Sequence, residues 1–131
     1  MVDKIKLKMT FLDRAIQKLE EMIAEPVDRK RSQIDSSIQR FEFSFELFWK
    51  ILQLILAEGG QRAAFPKEVL KIAYQGRLID HQQVWLDMLR DRNETSHVYD
   101  EKVADKIYVR VKTLYTKELR DTYERLHKQY H

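Results

Sequence analysis

Residues 31–58 read RSQIDSSIQRFEFSFELFWKILQLILAE, and this stretch decides the fold of the chain. Apolar side chains recur in it every three or four residues, the spacing that places them on one face of an α-helix. They are Ile34, Ile38, Phe41, Phe45, Phe48, Leu52 and Ile55. A second apolar set lies on other faces, namely Phe43, Leu47, Trp49, Ile51 and Leu54. The stretch therefore predicts a long helix that is either central in a helical bundle or partly covered by another subunit.

The same spacing predicts a long helix before this stretch and a short one after it. The first helix carries the apolar stripe Ile5, Met9, Leu12, Ile16, Leu19 and Ile23. It ends near Glu25, because Pro26 lacks a backbone donor and disfavours helical angles in the residue before it. Gly59-Gly60 ends the long helix, as glycine commonly does just past a helix C-terminus. Pro66 then suits the first position of a short helix that stops at Gly76.

Two further helices follow. Asp80 with Gln83 forms a capping-box pattern, which predicts a fourth helix that ends near Ser96 or His97. Asp100 can cap a last long helix. The side chains that we expect this helix to bury are Val103, Ile107, Val111, Leu114, Leu119 and Leu126. The predicted fold is all-α, an antiparallel up-and-down four-helix bundle with one extra short helix, forming a single domain over residues 1–131.

Composition narrows the class of protein. The chain has no cysteine, which excludes a disulfide framework and a thiolate zinc site. No apolar run approaches the roughly 20 residues of a membrane span, and no secretory signal is evident, so we expect a cytoplasmic protein. The net charge of +3 is too modest to identify RNA as a ligand. His127 and His131 stand four residues apart at a terminus that we expect to fray, and we predict neither a metal site nor a cofactor.

The groups best suited to catalysis are concentrated in residues 89–101, LRDRNETSHVYDE. Histidine titrates near neutral pH and a guanidinium can hold phosphate oxygens through two donors, so Arg92 and His97 suit metal-independent RNA cleavage. Five residues turn through about 500° on a regular helix, which leaves these side chains roughly 140° apart. Either the helix ends between them or a second subunit brings its own pair alongside. A purely structural role, with Arg92 in a salt bridge and His97 at a helix end, is the alternative.

Two segments carry a resemblance to a known family. RNETSHVYDE at 92–101, preceded by WLDMLRD, and IQRFEFSFELFWK at 38–50 closely resemble the nucleotidyltransferase substrate-binding proteins of the HEPN superfamily. The resemblance extends over nearly the whole chain, including PKEVLKIAYQGRLID. It implies a helical bundle that forms homodimers and is encoded beside a small nucleotidyltransferase. The present chain lacks the Gly-Ser and spaced aspartates of that enzyme, so it is not itself a nucleotidyltransferase.

The resemblance also implies roles for individual residues. Arg92, Asn93 and His97 match the motif of HEPN ribonucleases, whose active site is assembled across the dimer. Tyr99 matches the tyrosine that the partner nucleotidyltransferase adenylylates in the toxin branch, which silences the ribonuclease. A nucleotide there would repel an anionic substrate, as phosphate groups do.

We also predict that three neighbouring side chains contact the substrate: Arg90, Thr95 and Ser96.

Three functions are compatible with these observations. The first is a toxin, a metal-independent endoribonuclease controlled at Tyr99. The second is a non-catalytic subunit that binds a substrate or nucleotide for a partner nucleotidyltransferase. The third is a dimeric scaffold in which the motif only holds helix ends together.

Overall fold

The computed structural model describes residues 2–94 and 100–131, and all secondary structure in these ranges is helical. The helices are α1 (Val2–Ala24), α2 (Ser32–Glu58), α3 (Pro66–Gln75), α4 (Gln82–Glu94), α5 (Glu101–Arg110) and α6 (Thr116–His127). A π-helical turn, Val111–Tyr115, joins α5 to α6 without leaving helical backbone angles. The predicted fold is confirmed. Its four long elements are α1, α2, α4 and the continuous α5–α6 rod, and α3 is the extra short helix.

Helix α2 is the centre of the bundle, since it packs against α1, α3, α4 and α5. All seven residues of its predicted core stripe are buried, and so are Trp49 and Ile51 from the second apolar set. Phe43, by contrast, is 65% exposed. The surplus of apolar side chains on α2 is therefore explained mainly by its central position, and Phe43 is left on the surface.

An aromatic core fixes α4 and the α5–α6 rod against α2. The rings of Phe48 and Trp85 pack edge to face, with their centroids 4.8 Å apart. Phe41 stacks on Tyr115 at 5.3 Å. The Trp85 indole Nε1 donates to the buried Glu118 carboxylate at 3.0 Å, so its one polar group is satisfied inside the core. These contacts fix the first turn of α4 and the π-helical turn against α2.

Most of the predicted helix ends are confirmed. Helix α1 ends at Ala24, before Pro26, and Pro66 occupies the first turn of α3. Gly60 has φ of 86°, and the amide of Gln61 donates to the Leu56 carbonyl at 2.9 Å, which closes α2 in a left-handed turn that favours glycine. The Asp100 carboxylate caps α5 by accepting from the amides of Lys102 and Val103 at 3.0 and 3.4 Å.

The predicted capping box at Asp80 and Gln83 is wrong. Helix α4 begins at Gln82, which places Asp80 outside the capping position. The Gln83 amide donates to Asp87 Oδ1 at 2.9 Å, and the Asp80 carboxylate lies 3.5 Å from the Arg125 guanidinium. Arg125 also donates to the carbonyls of residues 77 and 78 at 2.9 Å, so α6 fixes the segment that connects α3 to α4.

One predicted core residue of the last helix lies at the surface. Leu114 is 42% exposed, whereas its neighbour Tyr115 is completely buried. The cause is the π-helical turn, which holds one residue more than an α-helical turn and shifts the buried face by one position. The Thr116 hydroxyl donates to the Val111 carbonyl five residues earlier at 2.7 Å, a contact that fits this wider turn.

Candidate functional site

The described part of the motif lies in the last turn of α4, which ends at Glu94. It contains Arg90, Arg92 and Asn93. Thr95, Ser96, His97 and Tyr99 lie outside the described residues, as does the predicted end of α4 near Ser96 or His97. The approach of Arg92 to His97 therefore stays a prediction. The contacts of the described motif residues are those of its arginine side.

Arg92 reaches from α4 across to α2. Its Nη2 atom lies 2.5 Å from Glu46 Oε2, and its Nη1 atom donates to Asn93 Oδ1 at 3.2 Å. The second oxygen of Glu46 lies 3.5 Å from Lys50 Nζ. About a third of the Arg92 side chain, 34%, remains exposed. The guanidinium is thus oriented by a carboxylate, and part of the side chain reaches the surface, as a phosphate-binding arginine requires.

The neighbouring residue, Asp91, faces the interior of the bundle and is only 2% exposed. Arg110 binds its carboxylate through two parallel hydrogen bonds, from Nε at 2.6 Å and from Nη2 at 2.9 Å. The Tyr115 hydroxyl donates to Asp91 Oδ2 at 2.5 Å. This cluster of Asp91, Arg110 and Tyr115 joins the end of α4 to α5 and the π-helical turn, and so fixes the backbone immediately before Arg92.

The cluster changes the titration of two of its members. Burial raises the pKa of the Tyr115 phenol far above its ordinary value, and the hydrogen bond to the Asp91 carboxylate raises it further. The hydrogen bond to Asp91 also raises the pKa of Arg110. The phenol is therefore neutral and the guanidinium charged at any physiological pH, which suits a structural role for both.

Arg90 lies on the rim of a small cavity between α4 and α5. Its guanidinium is 3.3 Å from Asp87 and 3.6 Å from Asp91, and its side chain is 58% exposed. The cavity has a volume of about 210 Å³, and its charged lining residues are Arg90, Asp91, Glu94, Lys106 and Arg110. Arg90 therefore combines an exposed charge with two nearby carboxylates, and its contact with substrate stays a prediction.

Two residues of the site were missed from the sequence. Asp91 continues the stripe formed by Trp85 and Met88 at intervals of three, so its position on the buried face of α4 could have been noticed. Glu46 gave no comparable signal, since its partner Arg92 lies 46 residues further along the chain. The salt bridge between Glu46 and Arg92 is part of the structural alternative considered above. It is partly exposed on both sides, however, and such pairs contribute little stability.

Comparison with known proteins places the chain in a family. Residues 7–128 match the family described as nucleotidyltransferase substrate binding protein like. The chain belongs to this family. Its fold and its sequence motif agree with the HEPN-type resemblance identified from residues 38–50 and 92–101. Both the family and the fold predicted from the sequence are therefore confirmed.

Three relatives of this family member illustrate the match. A Haemophilus influenzae protein named probable ribonuclease HepT is 29% identical over 121 residues, which cover 81% of this chain and 83% of the relative. A crystal structure of a Thermus thermophilus protein has 34% identity and a TM-score of 0.80, covering 88% of this chain and 98% of its own.

A second structure, from Haemophilus influenzae, is described as revealing the fold of a substrate binding domain of a nucleotidyltransferase. It has 27% identity and a TM-score of 0.75, covering 91% and 98% of the two chains. Among the described helices of this family member, none has the length and apolar content of a membrane span.

Proposed function

We propose that this protein is a HEPN-type toxin, a metal-independent endoribonuclease whose active site is completed across a homodimer. The observation that carries the proposal is the position of Arg92, held by Glu46 at the exposed end of α4, at the motif position that HEPN ribonucleases use. The relative named probable ribonuclease HepT supports the same activity. The family description supports a nucleotidyltransferase partner, and the proposed partner is a minimal nucleotidyltransferase encoded nearby.

The chemistry follows from the residue types of the motif. His97 transfers the proton between the 2′-hydroxyl, which attacks the adjacent phosphorus, and the 5′-oxygen, which leaves. Arg92 neutralises the charge that builds on the pentacoordinate phosphorus, and Asn93 orients the phosphate. Glu46 restricts the guanidinium to one orientation, which reduces the entropy lost when the phosphate binds. Arg90, Thr95 and Ser96 contact the RNA chain on either side of the scissile bond.

Tyr99 is the proposed control point. The partner nucleotidyltransferase transfers AMP from ATP to its phenol: the phenol oxygen bonds to the α-phosphorus, the phenol proton is lost, and pyrophosphate departs. The added phosphate places a negative charge two residues from His97 and repels RNA from the site. Incubation with the partner, ATP and magnesium is expected to add one or more AMP masses, which Tyr99→Phe abolishes. Tyr74→Phe, at an exposed tyrosine of α3, is the matched control and keeps the mass gain.

The ribonuclease test is cleavage of a labelled RNA in the presence of EDTA. Wild type is expected to cleave, and His97→Ala is expected to lose cleavage by about 10²-fold or more, the usual contribution of general acid–base catalysis. His131→Ala, at the exposed terminal histidine, is the matched control and keeps full activity. Equal and negligible cleavage by wild type and His97→Ala would refute the ribonuclease proposal.

Mixing two inactive variants tests whether the site is shared between subunits. If Arg92 of one subunit acts with His97 of the other, an Arg92→Ala and His97→Ala heterodimer contains one intact site. Random mixing then restores about a quarter of wild-type activity, because half of the dimers are mixed and each has one of two sites. No recovery from a verified heterodimer would place both groups in one subunit.

A second function is favoured by the family description. In this second function the protein is non-catalytic and binds a substrate or nucleotide for the nucleotidyltransferase. The description of the Haemophilus influenzae structure agrees with it. It predicts a stable complex with that partner and no RNA cleavage by the protein alone. A stable complex with the partner, together with no RNA cleavage by the wild-type protein, would favour this second function.

A further inference from the structure

An open groove runs between α1 and α2 on the outer side of the bundle. Its volume is about 610 Å³. The side chains that define it are Phe11, Arg14 and Lys18 from α1 and Gln39, Arg40 and Phe43 from α2. None of these residues takes part in the site described above. The groove is named here the α1–α2 groove.

The α1–α2 groove is positively charged. Arg14, Lys18 and Arg40 line it together with no carboxylate among the lining residues. In the described ranges 2–94 and 100–131, no acidic side chain comes within salt-bridge distance of any of the three. On the same helix pair the acids Asp13 and Glu20 are instead bound by Arg120 of α6. The groove therefore keeps three cations that form no salt bridge within the described residues, and two of them, Lys18 and Arg40, also line an adjoining cavity with Glu21 and Glu25.

Two aromatic rings are exposed on opposite walls of the groove. Phe11 on α1 is 47% exposed and Phe43 on α2 is 65% exposed. Large apolar side chains at this level of exposure lose the stabilisation of burial unless a ligand covers them. The Gln39 amide lies in the same groove and can donate and accept hydrogen bonds. Cations beside exposed aromatic rings form the kind of surface that binds single-stranded nucleic acid, where bases stack and phosphates are neutralised.

One end of the α1–α2 groove lies next to the candidate functional site. Phe43 and Glu46 are three residues apart on α2, so they lie about 4.5 Å apart along the helix axis and about 60° around it. Glu46 in turn binds Arg92 at 2.5 Å. At the opposite end, Glu21 and Glu25 line an adjoining cavity of about 220 Å³. The positive surface thus begins beside the motif arginine and ends at two acids, a length that fits a short segment of chain.

We propose that the α1–α2 groove binds a short single-stranded segment of RNA, whose bases stack on Phe11 and Phe43 and whose phosphates contact Arg14, Lys18 and Arg40. The choice of RNA rests on the proposed ribonuclease function. The groove then holds the substrate next to the bond that Arg92 and His97 act on.

Two other occupants fit the groove less well. A second copy of this chain seated across it would bring three cations against the same three, because a two-fold contact uses one patch twice. An acidic helix from a partner would need a continuous apolar strip, whereas the exposed apolar surface here consists of two separate rings. A flexible anion with flat hydrophobic faces matches both the charge and the rings.

The test measures RNA binding rather than cleavage. A fluorescent oligouridylate of about ten nucleotides is bound to His97→Ala, which keeps the RNA intact, and binding is followed by fluorescence anisotropy. Arg14→Glu with Lys18→Glu is expected to weaken binding at least tenfold. The loss of two phosphate contacts also reduces the slope of log affinity against log salt by about 1.4. Lys67→Glu with Lys71→Glu, an equally spaced pair on α3, is the matched control and leaves affinity within about twofold.

The rings are tested separately, with leucine replacing phenylalanine so that the groove stays apolar. Phe43→Leu is expected to weaken binding about fivefold or more through lost stacking, without changing the molecular mass in solution. Three results would overturn the proposal. The first is an equal loss of RNA affinity in the α1 and α3 charge variants. The second is binding of polyglutamate that the α1 charge variant weakens as much as it weakens RNA binding. The third is a change of oligomeric state in Phe43→Leu with no change in RNA affinity. Groove-dependent binding without any cleavage by wild type would keep this proposal and refute the ribonuclease.

Discussion

Asp91 and Arg92 are consecutive residues of α4 in opposite environments. Asp91 is 2% exposed and receives hydrogen bonds from Arg110 and Tyr115, whereas a third of the Arg92 side chain is exposed and its partner on α2 is half-buried. The two side chains project about 100° apart on the helix. The last turn of α4 is thus held from its buried side while its other side reaches the surface. Stability and function should therefore respond differently to changes at these two positions.

Asp91→Ala is expected to have the largest effect. It leaves the Arg110 guanidinium and the buried Tyr115 hydroxyl without their acceptor, and the loss of several hydrogen bonds to a buried charged acceptor costs about 3 kcal/mol. The measurement is the free energy of unfolding in urea. Asp87→Ala, one turn earlier on α4 and partly exposed, is the control and costs less than about 1 kcal/mol. Similar losses at both positions would show that Asp91 is not the anchor of this turn.

Tyr115→Phe is expected to cost less, about 2 kcal/mol, because it removes one hydrogen bond to a charged acceptor and keeps the stacking on Phe41. Urea unfolding at neutral pH measures this loss. Tyr123→Phe is the comparison, since that hydroxyl makes only a 3.4 Å contact with His127 and should cost under about 1 kcal/mol. A smaller loss at Tyr115 than at Tyr123 would contradict the assignment.

The same substitution has a pH dependence with a defined sign. The pKa of Tyr115 is raised in the folded protein, so the unfolded chain releases this proton first, near its ordinary pKa of about 10. The stability that Tyr115 contributes is fully present below about pH 10 and decreases as the pH rises above it. The difference in unfolding free energy between wild type and Tyr115→Phe should therefore narrow above about pH 10. A difference that widens with pH would have the wrong sign.

Glu46→Ala should change stability by less than about 1 kcal/mol, since the pair with Arg92 is partly exposed on both sides. Such a small loss, compared with the loss expected at Asp91, would indicate that the pair orients the Arg92 guanidinium and contributes little to the stability of the fold. Unfolding in urea with and without about 1 M salt measures it, because salt screens exposed pairs. A loss as large as that of Asp91→Ala would instead support the purely structural role for Arg92.

The fold was predictable from the sequence because its signals are local and repeated. The core stripe of α2, the stop before Pro26 and the cap at Asp100 each depend on residues a few positions apart. The candidate site was predictable only in part. Arg90, Arg92 and Asn93 share the predicted turn, but Glu46 comes close through packing of α2 against α4, which no local pattern encodes.

The two incorrect predictions, the capping box and the burial of Leu114, also failed because local sequence patterns do not encode the structure there. The capping box at Asp80 failed because α4 begins at Gln82, and the Asp80 carboxylate instead lies 3.5 Å from Arg125 of α6, 45 residues away. The burial of Leu114 was wrong because the α-helical period of 3.6 residues was applied across a π-helical turn. In that shifted register the buried hydroxyl of Tyr115 donates to Asp91. The wider turn is thus linked to the buried cluster, and the sequence pattern alone contains no sign of it.

Leu114→Ala tests that register and is expected to have the smallest effect. Leu114 is 42% exposed, so its truncation should change the unfolding free energy by no more than about 0.5 kcal/mol. Leu119→Ala, at a fully buried residue that the sequence pattern treats as equivalent, should cost about 2 to 5 kcal/mol. Equal losses would mean that Leu114 is covered in solution, either because the turn is α-helical or because a second subunit packs on it. A Leu114→Ala loss that grows with protein concentration would identify the second subunit, since only an association equilibrium depends on concentration.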